Sequence, residues 1–204
     1  PLEQDLFAGR LPPFWVSGAD PSFLLGTDSL GRDVLSRILH GARLALTVAL
    51  VSGLATCLVG ATLGLMAGYL RGWMDVVISR LIDIWMAFPP VLFSILLIAV
   101  IGPGLGSIIL AIVIIDWTRF ARVVRAEAMA QGAMDYVASA RIAGRGRLGI
   151  MLREILPNVL PTIVVLLTLE MGIAVIVEAI LSFVNLSIST DDPTWGGMIA
   201  EGRA

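Results

Sequence analysis

Residues 44–69 read LALTVALVSGLATCLVGATLGLMAGY, an uncharged run of 26 positions. A helix needs about 20 apolar residues to cross the hydrocarbon of a bilayer. This stretch is long enough, and it carries no alternation of period two that would suit a strand. It sets the class of the chain as an all-α polytopic membrane protein. Gly60, Gly64 and Gly68 repeat at four-residue spacing, with Gly53 further up. Residues four apart share a helix face, and small residues there admit a second helix at close range.

Three more spans are expected downstream, about four in all. Val76 to Ile101 carries Asp83 and is kinked by Pro89-Pro90, because proline lacks a donor and crowds the preceding turn. Gly102-Pro103-Gly104 marks a turn. Leu105 to Trp117 follows and continues as a polar helix past Asp116 and Arg119. Val159 to Phe183 is the last, with Glu170 and Glu178 inside it. The composition agrees: 57% of residues are hydrophobic, 15% are charged, and mean hydropathy is +0.92. A net charge of −2 argues against nucleic acid as a partner. Cys57 and His40 each stand alone, so neither a disulfide nor a metal site can be built from them. There is no lysine, hence no Gly-x-x-x-x-Gly-Lys phosphate loop, and no Gly-x-Ser-x-Gly or His-Glu-x-x-His. The chain reads as a non-enzyme with no cofactor of its own.

Arginine sets the orientation. Arg71, Arg80, Arg119, Arg122, Arg125, Arg141, Arg145, Arg147 and Arg153 fall on one side, which is then cytosolic. Arg10, Arg32, Arg37, Arg43 and Arg203 fall on the other, accompanied by Glu3, Asp5, Asp20, Asp28, Asp33, Asp191, Asp192 and Glu201, half of the sixteen carboxylates. Three segments follow: 1–42, extracytoplasmic; 43–183, transmembrane, with a cytosolic loop at 119–158; and 184–204, extracytoplasmic. Asp28 is expected to cap a short amphipathic helix striped by Val34, Leu35, Ile38 and Leu39, lying on the membrane before Leu44 turns in. Both ends then face outward, and one further span on each side is expected in a longer chain.

Residues 135–161, DYVASARIAGRGRLGIMLREILPNVLP, form a polar insert between apolar spans. Asp135 can cap a helix over Tyr136–Ala143, and Gly144 suits the left-handed position past its end. Leu148–Leu156 resumes a helix that Pro157 ends, and Pro161 opens the next span. The result is a cytosolic helical hairpin. Ala138, Ser139 and Ala140 give it a low profile against which a partner could seat, with Arg141, Arg145 and Arg147 to meet carboxylates. The competing reading is that alanine is only the best helix former and the arginines only mark the cytosolic side.

These residues resemble the EAA loop of ABC-importer permeases: Ala138-Ser139-Ala140, three residues, Gly144, and then Leu156-Pro157. Ala138 stands where that pattern has Glu, and Glu154 where it has Ile. The likeness to the dipeptide/oligopeptide/nickel type covers almost the whole chain. It runs through Leu25-Gly26-Thr27-Asp28-Ser29-Leu30-Gly31-Arg32-Asp33-Val34-Leu35-Ser36-Arg37, then Asp75, Arg80, Asp83 and Phe88-Pro89. It continues through Tyr136-Val137 to Gly144, Ile155-Leu156-Pro157-Asn158, Glu178-Ala179-Ile180-Leu181-Ser182-Phe183, and Trp195-Gly196 to Glu201-Gly202. Ser139 replaces an alanine, and Val184-Asn185-Leu186-Ser187 lacks two glycines of the pattern.

The resemblance implies a six-span permease of which this chain carries the second to fifth spans, in a bacterial cytoplasmic (inner) membrane. Its implied partners are a homologous permease subunit, two cytosolic ATPase subunits that bind the ATP, an extracytoplasmic solute-binding protein and the lipid bilayer. The cargo class it implies is peptides or a related small solute, nickel included. ATPase coupling falls on Tyr136, Ala138, Ser139, Ala140, Arg141, Gly144, Arg145, Arg147, Leu156 and Pro157. Glu178 and Asn185 are candidates for the pathway or a gate. Arg80 with Asp83, and Asp116 with Arg119, are expected as same-face charge pairs. The residues also admit a secondary transporter using Glu170 and Glu178, or a membrane scaffold without transport.

Overall fold

The computed structural model describes residues 3–184, 186 and 192–203. Regular structure among them is helical throughout, apart from one bridge pairing Thr27 with Asp33. Helix α1 spans Val34–Leu70, α2 Gly72–Met86, α3 Pro90–Ile101 and α4 Leu105–Gln131. A short α5, Asp135–Ile142, is followed by α6, Arg147–Ile150, a π-helical turn over Met151–Ile155, α7, Leu156–Phe183, and α8, Trp195–Gly202.

The core is the triangle α1, α4 and α7. The glycine repeat puts α1 directly against α4. A Cβ on Gly60 would lie 2.5 Å from the Trp117 carbonyl oxygen, and one on Gly64 would lie 2.7 Å from that of Ala121. On Gly68 it would strike the Arg125 carbonyl. Higher up, Gly53 faces Met171 and Leu167 of α7. Lipid tails are as apolar as leucine, so burial from water does not drive this pairing; close van der Waals packing does. Phe120, Ile108 and Ile112 of α4 are fully enclosed by it. Leu46, Leu50, Leu54 and Leu58 of α1 and Val164, Val165, Leu169 and Ile176 of α7 remain exposed, an apolar belt suited to lipid.

The spans differ from the expectation in three places. First, α1 is one 37-residue helix from Val34. At 1.5 Å per residue it is about 55 Å long, so no separate surface helix precedes Leu44 and the helix crosses the 42–43 boundary. Its cap is Asp33, whose carboxylate accepts from Ser36 N at 3.0 Å; Asp28 is spent elsewhere.

Second, Val76–Ile101 is broken rather than kinked: α2 and α3 meet at 88°. Two successive residues without N–H cannot continue the helical ladder, so Phe88 N closes α2 on the Trp85 carbonyl at 3.3 Å and Pro89 takes an extended conformation. Aromatic rings fill the elbow. Trp85 stacks edge-on to Phe93 and Trp117 at 6.2 and 6.3 Å, and its Nε1 donates to the Ile114 carbonyl at 2.5 Å.

Third, Pro157 does not end a helix. Arg147–Phe183 runs as one 37-residue rod. Leu156 N donates to Met151 O, five residues back. This wider turn relieves the Pro157 ring of the carbonyl it would otherwise strike. The Asn158 side chain bonds the Glu154 carbonyl at 2.6 Å.

Two helices, Val34–Leu70 and Arg147–Phe183, are long and apolar enough to cross a membrane alone, and the bent α2–α3 pair makes a third. The fourth expected span, α4, is uncharged only from Leu105 to Ile115. It is carried inside the bundle by its packing on α1 and α7.

Candidate coupling surface and intramembrane charges

Helix α5 begins after Met134, which is extended, and Asp135 occupies the first turn. Its carboxylate makes no capping bond, so it is not the cap the sequence suggested. Its negative charge still favours the N-terminal end of the helix dipole. The other end closes as expected: Gly144 takes φ +79°, its N–H donates to Arg141 O at 3.0 Å, and Arg145 N donates to Ala140 O at 3.1 Å. That is a Schellman closure, in which the 6→1 and 5→2 bonds need the left-handed residue.

One face of α5 is anchored. Val137 is fully buried with Tyr69, Ala128, Val124, Ile150, Ile155 and Val159. Tyr136 donates its hydroxyl to Gln131 Oε1 at 2.7 Å. Burial raises that phenol above its ordinary pKa, helped by the negative charges of Glu154 and Glu127. The opposite face is open. Ala138, Ser139, Arg141, Gly144, Arg145, Arg147 and Pro157 are exposed, while Ala140 and Leu156 are half-buried against the anchor. Leu156 therefore belongs to the support rather than to the open face.

The arginines are not equivalent. Arg145 pairs with Glu154 across the hairpin, Arg141 lies 5.6 Å over the Tyr69 ring, and Arg147 has no ion pair among the described residues. Sequence reasoning missed Ile142, 89% exposed at the tip of α5. The signal was an apolar residue on the polar side of a helix that has no apolar neighbour to meet.

Several of the charges on these helices pair from one helix to another. Asp83 bonds Arg122 of α4 at 3.0 Å, not Arg80. Arg80, exposed on α2, takes no ion pair among the described residues. The three-residue spacing puts both on one side of α2, but α4 lies beside Asp83 and wins it. Asp116 does meet Arg119 at 3.2 Å, and the same guanidinium reaches Glu170 of α7 at 3.2 Å. Arg125 bonds Asp75 through two nitrogens. Glu178 is fully buried in α7 and accepts from Ser182 Oγ at 2.5 Å. Asn185 lies outside the described residues.

A second charge cluster, built on two buried arginines, lies at the start of α1. Asp28 bonds Arg32 and Arg37, and Glu201 of α8 bonds Arg37 at 2.6 Å and Arg32 at 3.2 Å. Trp195 Nε1 donates to the Ile38 carbonyl at 3.1 Å beside Gly41, which leaves room for the indole. Burial pushes the Asp28 carboxyl up. The amides of Arg32 and Leu30 and the Arg32 guanidinium outweigh it and hold the group below the usual carboxylate range. Hydrogen bonds from Arg37 hold Glu201 low as well.

Comparison with known sequences accounts for this arrangement. The profile of the family described as binding-protein-dependent transport system inner membrane component matches residues 60–203. The dipeptide transport system permease protein DppC of Haemophilus influenzae is 38% identical over 203 residues, covering 100% of this chain and 69% of that protein. The di/tripeptide transport system permease protein DppC of Pseudomonas aeruginosa is 40% identical over 192 residues, covering 94% of this chain and 63% of that protein. The glutathione transport system permease protein GsiD of Pectobacterium atrosepticum is 39% identical over 187 residues, covering 92% and 62%. The chain thus spans roughly two thirds of the length of these relatives. Three packed apolar helices, a polar hairpin seated on their ends and this breadth of identity lead to one conclusion: the chain belongs to the binding-protein-dependent transport system inner membrane component family, as a membrane permease subunit.

Proposed function

We propose that this chain forms the translocation path of an ABC importer for short peptides, and that α5 is where the ATPases push. The observation that carries the reading is the split character of α5. Its inner face is locked into the ends of α1, α4 and α7 by Val137 and Tyr136, and its outer face offers Ala138 and Ser139 with nothing on them. A helix held on one side and bare on the other transmits displacement as a rigid body. In this reading the hairpin is cytosolic and the N-terminal segment and α8 are extracytoplasmic, in a multi-pass protein of the bacterial inner membrane. ATP is bound by two partner subunits, and this chain holds no nucleotide. A second permease closes the path, and a solute-binding protein supplies the cargo. Peptide cargo is supported by the names of the relatives, which concern dipeptides, tripeptides and glutathione.

Ala138→Trp tests the reading, because it adds bulk to an exposed helical position without disturbing the Gly144 closure. The full-length variant is expected to insert normally, to retain less ATPase on purification and to lose ATP-dependent peptide uptake. Unchanged uptake with full ATPase retention would place the docking surface elsewhere.

A further inference from the structure

Helix α4 carries Arg119, Arg122 and Arg125 at three-residue intervals, and their side chains are 41%, 52% and 30% exposed. Contacts with α1 fix their depth. Gly60 abuts Trp117 and Phe120, and Gly68 abuts Arg125 and Ala128. Gly60 lies about 14 Å inside Tyr69 at 1.5 Å per residue. Arg119 is therefore well within the uncharged length of α1, and Arg125 is near its inner end. Glu170, which Arg119 holds, is at the middle of α7.

Hydrocarbon cannot solvate a half-exposed guanidinium. Charges at such depth face a bundle interior or a water-filled cavity. Here the bundle interior is already taken by Asp116, Glu170 and Asp75. At the Arg119 and Arg125 levels these carboxylates are the less exposed partners, at 6%, 1% and 20%. At those two levels the open side presents the guanidinium; between them it presents an exposed pair, Arg122 with Asp83, at 52% and 57%. Arg119 uses one N–H of each terminal nitrogen on its two carboxylates, leaving other donors of its planar fork for a further acceptor. Successive arginines are about 4.5 Å apart along the axis, close enough for an anion to pass from one to the next.

We infer that this face of α4 lines the cytosolic half of the translocation path, and that Arg119, Arg122 and Arg125 receive the carboxylate end of peptide cargo as it leaves. The inference rests on the importer reading and adds a site to it. Guanidinium–carboxylate pairing supplies the recognition, and the resident carboxylates keep each arginine oriented and its hold on cargo weak enough for release.

The test uses the assembled importer with the full-length chain, its accessible native cysteines, Cys57 among them, replaced by Ser, and Arg122→Cys as the probe. In inside-out vesicles a membrane-impermeant maleimide is expected to label the introduced thiol without nucleotide and to label it several-fold more slowly after trapping with ATP and vanadate. A free dipeptide on the same side should slow labelling, and its C-terminal amide should not. Absence of labelling in both states puts this face against another protein and overturns the inference. Labelling indifferent to both peptides overturns the carboxylate assignment. ATP-dependent transport by the Ser-substituted parent in proteoliposomes is measured alongside. Its absence removes the importer reading itself, whereas failed labelling with intact transport removes only the arginine ladder.

Discussion

At the scale of single residues, the α1–α4 contact depends on hydrogen atoms standing where side chains would be. Gly64 is the middle of the repeat, with Ala121 O and Val124 Cβ both within 3 Å of where its Cβ would be. Gly64→Val is expected to force the helices apart and to lower stability by about 1–3 kcal/mol, as overpacking does. A thermal melt of the detergent-solubilised complex checks this, with Gly172→Ala as the control because open space surrounds that position. Equal melting of the two variants would remove the repeat from the list of fold determinants. This contact was legible in the sequence because four-residue spacing is a property of one helix alone. The ion pairs between helices were not. Asp83 chose Arg122 over Arg80 because the rotation of α4 about its axis decides who is near, and no local pattern encodes that rotation. Asp116 with Arg119 was readable, since both lie on one helix, but the third member, Glu170, is 51 residues away.

At the scale of elements, three expectations failed for one reason: a terminator was judged by its residue type and not by its surroundings. Asp28 has the right side chain for a cap, yet Asp33 lies next to the first helical turn. Pro89-Pro90 breaks a helix fully because two consecutive donors are missing and the aromatic elbow stabilises the turn. Pro157 breaks nothing because the π turn before it has one residue too many for an α-helix. That extra residue also sets the phase between the hairpin and α7, so that Ile150, Ile155 and Val159 all enter the same cluster. Deleting the exposed Leu152 should restore α-helical bonding and rotate one side by about 100° relative to the other. The expected result is a chain that still inserts but whose ATPase retention on purification falls by about tenfold, equivalent to about 1.4 kcal/mol of docking. Full retention would show that the hairpin's phase is set by α5 and not by the π turn.

At the scale of the whole molecule, the charge cluster at the start of α1 ties the two ends of the described chain together. Asp28, before α1, and Glu201, in α8, share Arg32 and Arg37, both of them buried. The sequence showed these residues as parts of two separate motifs 169 positions apart, and only the fold makes them one object. Its pH response follows from the carboxylates. Both have folded pKa values held below their ordinary values of 3.8 and 4.5. A depressed carboxylate contributes stability that is complete above its unfolded pKa and is lost as pH falls through the folded one. The tie should therefore hold unchanged from neutral pH down to about 4.5 and loosen progressively below it. Amide hydrogen exchange across residues 28–33 and 195–202, compared at matched intrinsic rates, reads this directly. Acid should speed exchange in both segments together, since they share the same arginines. Glu201→Gln should raise exchange in both already at neutral pH and blunt the acid response, while leaving α5 and its neighbours protected. Loosening of only one segment in that variant would mean that Asp28 alone satisfies the arginines and that α8 is held by Trp195 against Gly41 and Ile38.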